Sequence, residues 1–261
     1  MNFLLKICER KRTELQKLVL ETSLAKLPEQ VEPCTTDVLS ALKRSYRLQV
    51  IAEHKRKSPS KGVIRADSDP IRIAKGYEQA GAAAVSVLTD SAFDGRKEDL
   101  IAIRGAVTIP VLCKDFILSP LQVFLARSWG ADIVLLIVAA LKVNELKSLI
   151  ALVKQLGMEP LVEVHDAHEL KVATDCGARL VGVNNRNLHT FEVDLRISEE
   201  LAPAFDASLV RVSESGIRTG DDLQRVWEAG YDAVLVGEQL MRAADPGNAL
   251  EKLISEGPTL S

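Results

Sequence analysis

Gly130-Ala-Asp-Ile-Val134 and three stretches like it decide the fold of this 261-residue chain. The others are Gly81-Ala-Ala-Ala-Val85, Gly177-Ala-Arg-Leu-Val181 and Gly230-Tyr-Asp-Ala-Val234, so the glycines lie 49, 47 and 53 residues apart. Each glycine follows an amphipathic segment and precedes a short apolar run. A glycine that ends a helix just before a buried strand is typical of one supersecondary unit repeated along a chain.

The apolar runs predict eight short strands, over residues 48–54, 84–88, 111–114, 133–137, 159–164, 180–184, 209–213 and 233–236. Each interval between them has room for the crossover helix that parallel strands require. Such helices are predicted over 69–79, 120–129, 143–155, 167–175 and 219–228. Eight βα units favour a (β/α)8 TIM barrel over an open doubly wound sheet, which would show Gly-x-Gly-x-x-Gly after its first strand.

The first 47 residues do not follow this βα rhythm. Apolar residues from Phe3 to Val19, spaced among Lys, Arg and Glu, indicate an amphipathic helix, and Asp37 is placed to cap a short second helix through Lys43. A segment of this length could hardly build a core of its own. We therefore expect a single domain, in which a helical N-terminal extension over 1–47 packs on a barrel over 48–261.

The composition argues against several classes of protein. Lys and Arg number 33 against 36 Asp and Glu, a formal net charge of −3, so nucleic acid is not an expected partner. The longest apolar run, 133–141, is too short to cross a membrane. The four cysteines form no CxxC pair, which indicates free thiols in a reducing compartment. We expect a soluble, cytoplasmic protein, and a monomer.

Polar residues follow the apolar part of five predicted strands, at the same end of each. Residues two apart share a face of a strand. On the inward face at these ends lie Glu53 and Lys55 of the first strand, Lys114 of the third, Glu163 of the fifth, Asn184 and Arg186 of the sixth, and Glu214 of the seventh. In a βα barrel the carboxyl ends of the strands carry the chemistry, and lysines close to buried glutamates can transfer protons. Ordinary exposure of strand ends to water explains any one of these residues, whereas five strands together favour a site.

Two glycine turns after the last two predicted strands suggest an anion site. Gly216 and Gly237 would let backbone N–H groups approach phosphate oxygens, as loops seven and eight do in many such barrels. Ser58 and Lys61, in the loop after the first strand, add a hydroxyl and a cation. Ordinary tight turns are the alternative interpretation of both glycines.

Other catalytic arrangements are absent from the sequence. It has no nucleophile elbow, and His165 and His168 have i, i+3 spacing without an evident third ligand, so we expect no metal and a solvated or capping role for both. Cys113 is expected to face the helices, because it alternates with Lys114 along its strand.

Six segments resemble those of the indole-3-glycerol phosphate synthase family, in the family's order and at plausible spacing. They are residues 51–62, 86–90, 110–116, 161–165, 183–188 and 213–217. The resemblance implies a (β/α)8 barrel with a helical N-terminal extension. It also implies a reaction of tryptophan biosynthesis, in which 1-(2-carboxyphenylamino)-1-deoxyribulose 5-phosphate, the small phosphorylated partner, closes to the indole ring with loss of carbon dioxide and water, without metal or organic cofactor.

The same resemblance implies roles for the catalytic residues. Lys114 would be the general acid that polarises the substrate carbonyl, Glu163 an acid/base partner, and Glu53 with Lys55 the pair that serves dehydration. Substrate hydroxyls would be held by Asn184, Glu214 and Ser215, and the phosphate by Lys55, Ser58, Gly216 and Gly237. The division of proton transfers among Lys55, Lys114 and Glu163 stays open.

The rest of the expected site follows from the nature of that substrate. An anthranilate ring needs an apolar slot, for which the candidates at strand ends are Phe93, Phe116, Leu135 and Leu188. Two anionic groups would be drawn in by Lys55, Lys114 and Arg186. Packing alone explains any single apolar candidate equally well.

Three positions depart from the family pattern. His54 stands where an aliphatic residue is usual and Cys113 where a basic residue is common, but both should face the helix layer. Glu238 follows Gly237, the glycine expected to bind phosphate, and its carboxylate would repel a phosphate unless it points away. Two alternatives remain at this point. One is phosphoribosylanthranilate isomerase, which would want a cysteine near the end of the first strand, and the other is a barrel that binds a phosphorylated ligand without turnover.

Overall fold

The computed structural model describes residues 3–21, 31–58, 61–188 and 190–259. Eight parallel strands close into a barrel, in which each strand pairs with its neighbours in the chain and the last pairs with the first. They are β1 (Gln49–His54), β2 (Ala84–Leu88), β3 (Val111–Lys114), β4 (Ile133–Ile137), β5 (Glu159–Val164), β6 (Leu180–Asn184), β7 (Val210–Glu214) and β8 (Ala233–Val236). The predicted (β/α)8 barrel is confirmed.

Only two strands differ from their predicted bounds: β1 by one residue at its start, and β7 by one residue at each end. β1 begins at Gln49, which pairs with Ala233 of β8. β7 begins at Val210 and continues to Glu214, because Glu214 pairs with Asn184 in the parallel ladder with β6. The polar ends of neighbouring strands therefore lie side by side at one mouth of the barrel.

At least one helix follows every strand of the barrel. The helices are α1 (Phe3–Glu21), α2 (Val38–Leu42), α3 (Pro70–Gln79), α4 (Lys97–Arg104), α5 (Pro120–Ser128), α6 (Val143–Gln155), α7 (Ala167–Asp175), α8 (Arg196–Leu201), α9 (Gly220–Glu228), α10 (Glu238–Arg242) and α11 (Pro246–Ser255). Asp69 and Thr219, predicted as first helical residues, are N-caps whose side chains accept hydrogen bonds from helix N–H groups.

The four repeated glycines end helices in the left-handed conformation. Gly81, Gly130, Gly177 and Gly230 have φ values of +90°, +96°, +88° and +90°. A side chain would be strained there, whereas glycine lets the chain leave the helix and enter the next strand directly. The predicted repeat thus corresponds to four equivalent helix-to-strand turns.

The apolar core has two layers. Inside the barrel, inward-facing residues such as Ile51, Leu112 and Leu161 form one buried cluster. A larger cluster fills the space between the sheet and the helices and includes Cys113, which therefore faces the helices as predicted. His54 also lies outside the barrel interior, where its Nε2 is 3.0 Å from Ser68 Oγ.

Helix α1 covers the carboxyl-terminal mouth of the barrel. Leu4 and Cys8 join the inner apolar cluster. Lys11, only 8% exposed, places its Nζ 2.6 Å from carboxylate oxygens of both Asp90 and Asp115. Buried ion pairs of this kind fix a helix in one position on its partner. The boundary at residue 47 between extension and barrel stays a prediction.

The four cysteines are free, as the spacing predicted, and all four are buried. None of the helices in the described part of the chain combines the length and the hydrophobicity of a membrane-spanning segment.

Candidate active site

A cavity of about 470 Å³ opens at the carboxyl ends of the strands. The predicted site residues that line it are Glu53, Lys55, Phe93, Lys114, Phe116, Leu135, Glu163, Asn184, Arg186, Leu188, Ser215, Gly216 and Gly237. Glu214 is 1% exposed and reaches the cavity through its contact with Lys114. Ser58 is not brought to this wall: it is buried in a two-residue hairpin strand, where its Oγ accepts a hydrogen bond from the Lys61 N–H.

Lys114 lies at the centre of the charged residues. It ends β3, and its Nζ is 2.8 Å from Glu214 Oε2 at the end of β7 and 3.6 Å from Glu53 Oε2 on β1. Burial by itself would lower the pKa of Lys114, but the charges of Glu214, Glu53 and Glu163 outweigh burial and raise it. Lys114 is therefore a protonated donor across the physiological pH range.

Glu53 stays ionised in spite of its burial. Its Oε1 lies 2.5 Å from Lys55 Nζ, and its other oxygen faces Lys114. Burial raises the pKa of the Glu53 carboxyl, but Lys55 and Lys114 bring it below its ordinary value. Glu53 and Lys55 thus form a close ion pair on the cavity wall.

Glu214 behaves differently from Glu53. Burial raises the pKa of Glu214 to about 7, because the attraction of Lys114 only partly offsets it and Glu163 adds repulsion. Its Oε1 is buried and accepts no hydrogen bond within the described part of the chain. Gly182, the neighbour on β6, makes room for that oxygen, since a Cβ there would collide with it. Glu214 can therefore bind or release a proton near neutral pH.

A polar chain orients Glu163 on the other side of the cavity. Asn184 Nδ2 donates a hydrogen bond to Glu163 Oε1 over 3.1 Å. The Asn184 Oδ1 accepts in turn from Ser215 Oγ at 3.0 Å and from the Arg186 backbone N–H at 3.0 Å. Ser215 has a left-handed φ of +67°, a conformation that costs energy and is typical of functional turns.

The prediction of a solvated or capping role for His165 is wrong. The N-cap of α7 is Asp166. The His165 side chain is 18% exposed and lies between Glu163, 3.4 Å from Nε2, and Glu169, 3.0 Å from Nδ1. Burial favours a lower pKa, but the two glutamates raise the pKa of His165 to about 10. His168 is exposed, as expected. The i, i+2 spacing of Glu163 and His165, which places both on one face at the end of β5, could have predicted this contact from the sequence.

The cavity also has an apolar wall. Phe93 and Phe116 are stacked, with ring centroids 6.2 Å apart, and Phe3 meets Phe191 edge to face at 5.3 Å. All four rings line the cavity. Sequence reasoning missed Phe3 and Phe191, because no strand-end position marks either of them.

The cations that line the cavity are more numerous than predicted. Arg218 and Arg242 join Lys61 and Arg186 among its lining residues. Glu238 lines it as well, and its Oε1 lies 3.1 Å from Arg242 Nε, one helical turn away. The carboxylate that departs from the family pattern is thus neutralised locally. Arg218, directly after the 213–217 motif, could have been found from that adjacency.

The two glycine turns have different physical reasons for glycine. Gly216 has a left-handed φ of +98°. Gly237 does not; a Cβ there would stand within 3.0 Å of Glu53 side-chain atoms. Close packing against Glu53 therefore requires Gly237 whether or not an anion binds beside it.

A barrel with a half-buried, protonated lysine among three glutamates, open to a cavity with aromatic and cationic walls, defines an enzyme of the acid–base class that acts on small anionic molecules. Residues 4–253 match the model of one family, Indole-3-glycerol phosphate synthase. The chain belongs to the indole-3-glycerol phosphate synthase family.

Individual relatives agree with this assignment. The indole-3-glycerol phosphate synthase of Parafrankia sp. (strain EAN1pec) is 50% identical over 260 residues, which cover 98% of this chain and 97% of that protein. The indole-3-glycerol phosphate synthase of Listeria monocytogenes is 48% identical over 255 residues, covering 97% and 98%. The solved structure of 3-hexulose-6-phosphate synthase from Salmonella typhimurium has a TM-score of 0.66 at 16% identity, over 80% of this chain and 98% of that one, and shares the fold alone.

Proposed function

We propose that this cavity converts 1-(2-carboxyphenylamino)-1-deoxyribulose 5-phosphate into indole-3-glycerol phosphate, carbon dioxide and water, with Lys114 as the general acid of ring closure. The observation that carries the proposal is the position of the Lys114 ammonium, 2.8 Å from Glu214 and 3.6 Å from Glu53 in the cavity wall. Ring closure joins a weakly nucleophilic aromatic carbon to a carbonyl carbon, so negative charge develops on the carbonyl oxygen. A fixed proton donor at that oxygen lowers the barrier.

The remaining steps need further proton transfers. Carbon dioxide leaves from the ring carbon that forms the new bond, and its bonding electrons return to the ring system. The hydroxyl then leaves as water, which requires a proton donor near that oxygen and a base for the proton that restores the aromatic indole. The Glu53–Lys55 pair, with 2.5 Å between Oε1 and Nζ, serves this dehydration, and Glu163 is the acid/base partner.

Substrate binding divides among the other walls. The unpaired Glu214 Oε1 is suited to accept a hydrogen bond from a substrate hydroxyl, beside Asn184 and Ser215. The anthranilate ring lies in the slot formed by Phe93, Phe116, Leu135 and Leu188, and its carboxylate faces Arg186. The phosphate binds at Lys55 and the Gly216 and Gly237 turns. Ser58 reaches it only if the loop after β1 rearranges. The protein acts as a cytoplasmic monomer.

The test is turnover of the purified protein with the carboxyphenylamino substrate, followed by the absorbance of the indole product. We expect turnover that persists in a metal chelator. Absence of product at saturating substrate contradicts the proposal. Tight binding of substrate without product would identify a binding protein. Consumption of phosphoribosylanthranilate would identify an isomerase, although β1 ends in Glu53-His54 without the cysteine expected of that enzyme.

A further inference from the structure

We propose that His165 is a positioning residue: clamped by Glu169, its ring holds the Glu163 carboxylate in one orientation and in its charged form. This inference rests on the proposed function, in which Glu163 handles protons at the cavity wall. It extends the site by two residues, His165 and Glu169, that do not themselves contact the reacting atoms.

The first step is the clamp on the His165 ring. Glu169 Oε2 accepts a hydrogen bond from the His165 backbone N–H at 2.9 Å and lies 3.0 Å from its Nδ1. Glu169 is itself fixed in the first turn of α7, where its backbone N–H donates to the capping Asp166 Oδ1 at 2.8 Å. One carboxylate thus holds both the backbone and the ring of His165, so the proton of Nδ1 faces Glu169 and Nε2 is presented to Glu163.

The second step is the contact with Glu163. His165 Nε2 is buried, makes no hydrogen bond among the described residues and lies 3.4 Å from Glu163 Oε1. The same Oε1 accepts the 3.1 Å hydrogen bond from Asn184 Nδ2. Both neighbours hold one oxygen of the carboxylate, which leaves Oε2 for a substrate proton. Fixing a catalytic group by its neighbours keeps it within the geometry that the reaction needs.

The third step is charge. Glu163 is 3% exposed, and the charged groups around it are His165 on its own strand, Lys114 on β3 and Glu214 on β7. Burial raises the pKa of Glu163, and His165 does most to lower it, more than Lys114. Lys114 is shared with Glu53 and Glu214, whereas His165 pairs, among the residues that the structure describes, only with Glu163 and Glu169. Without the imidazolium, Glu163 would become protonated at a higher pH and cease to act as a base.

The experiment compares three glutamine variants. His165→Gln and Glu169→Gln remove the imidazolium or its clamp, and His168→Gln changes the exposed histidine one helical turn away as a control. We expect kcat to fall at least about tenfold in the first two variants. We also expect the acidic limb of the kcat profile to move up by about one pH unit or more, because a nearby opposite charge shifts a carboxyl by that amount. His168→Gln should change neither.

A nuclear magnetic resonance titration of the histidine rings supplies a readout that is independent of turnover. We expect the His165 ring to be cationic at pH 8 in the unmodified protein and to titrate at lower pH in Glu169→Gln. A neutral His165 ring at pH 7 overturns the inference, and so does an unmoved acidic limb in His165→Gln, even if kcat and melting temperature both fall. Failure of the unmodified protein to turn over would instead reject the proposed function, and the titration would still decide the charge of His165.

Discussion

Two buried carboxylates at opposite ends of the barrel, Asp132 and Glu214, have contrasting surroundings. At the amino-terminal end, Asp132 has a partner on every side: it accepts from the Val111 backbone N–H at 2.9 Å, from Thr36 Oγ1 at 3.0 Å and from Arg104 Nη1 at 2.5 Å. At the carboxyl-terminal end, Glu214 keeps one oxygen without a hydrogen bond in the described structure and shares Lys114 with Glu53.

The contrast extends to a second aspartate at the amino-terminal end. Asp232 accepts a hydrogen bond from the Arg211 backbone N–H at 2.9 Å and lies 3.2 Å from Lys43 Nζ. Carboxylates with several hydrogen-bond and ion-pair partners of this kind hold the start of a strand against the neighbouring segments. Glu214 has fewer such partners and its pKa is raised to about 7, so it can exchange a proton near neutral pH at the carboxyl ends of the strands, where this fold carries its chemistry.

The largest expected effect is on catalysis. Lys114→Ala removes the proton donor at the carboxyl-terminal mouth of the barrel. We therefore expect kcat to fall by about two orders of magnitude or more while the barrel still folds. The control is Lys43→Ala, which removes an ammonium paired with Asp232 at the other end and should leave kcat unchanged. Steady-state kinetics and circular dichroism measure both. Normal turnover in Lys114→Ala would refute its role as general acid.

The second expected effect is on stability, at Asp132. Asp132→Ala leaves the Val111 N–H without its acceptor and takes the carboxylate from Arg104, which keeps its hydrogen bonds to the Val107 and Ile109 carbonyls. We expect the free energy of unfolding to fall by about 2–3 kcal/mol. The kcat of the folded variant at 25 °C should stay within about twofold of the unmodified protein. Urea unfolding measures the first quantity. Asp206→Ala, at an exposed turn, is the matched control. An equal loss of unfolding free energy in that variant would contradict the role given to Asp132.

The third prediction concerns the pH dependence of stability. The pKa of Glu214 is about 7 in the fold and about 4.3 in an unfolded chain, so the folded protein binds the extra proton between these values. Ionisation of Glu214 therefore costs stability as the pH rises through that window. This cost is absent in Glu214→Gln. The unfolding free energy of the variant minus that of the unmodified protein should therefore increase by roughly 2 kcal/mol from pH 5 to pH 8. A constant difference across that range would contradict the raised pKa.

The smallest effect is expected at the wall of the cavity. Glu238→Ser removes a carboxylate beside the proposed phosphate site and frees Arg242, so we expect KM to fall by about threefold with kcat unchanged. Stability should change by less than about 0.5 kcal/mol, because the Glu238–Arg242 pair is partly solvated. Arg242→Gln should raise KM instead. A higher KM in Glu238→Ser would show that the carboxylate helps to bind substrate.

Much of this fold was predictable because it is encoded over short distances. The strand bounds at 84–88 and 133–137 agree with the structure: both apolar runs begin soon after a glycine turn, and the first ends at polar residues. The caps at Asp69 and Thr219 follow from residue type alone. Even the convergence of Glu53, Lys114 and Glu163 on one cavity follows from the alternation of side chains along strands whose order a closed barrel fixes.

Other features of the site depend on distances between elements that no local pattern contains. The sequence placed Ser58 with the phosphate residues, but a hairpin in the loop after β1 buries it away from the cavity wall. It offered no reason to connect His165 with Glu169, because that contact depends on how α7 leaves β5. Phe3 and Phe191, far apart in the chain, meet only because α1 folds over the mouth of the barrel.

The sequence by itself determined the barrel, its repeat and the residue types at its mouth, since hydrophobic periodicity and helix-end glycines act within a few residues of chain. Only the tertiary structure decided how those residues behave. Glu53 and Glu214 are both glutamates at strand ends, yet the pKa of Glu53 is lowered by two lysines while the pKa of Glu214 is raised to about 7. The charge state of a buried group depends on its solvation and on every charge nearby, and those are set by the folded arrangement of the strands.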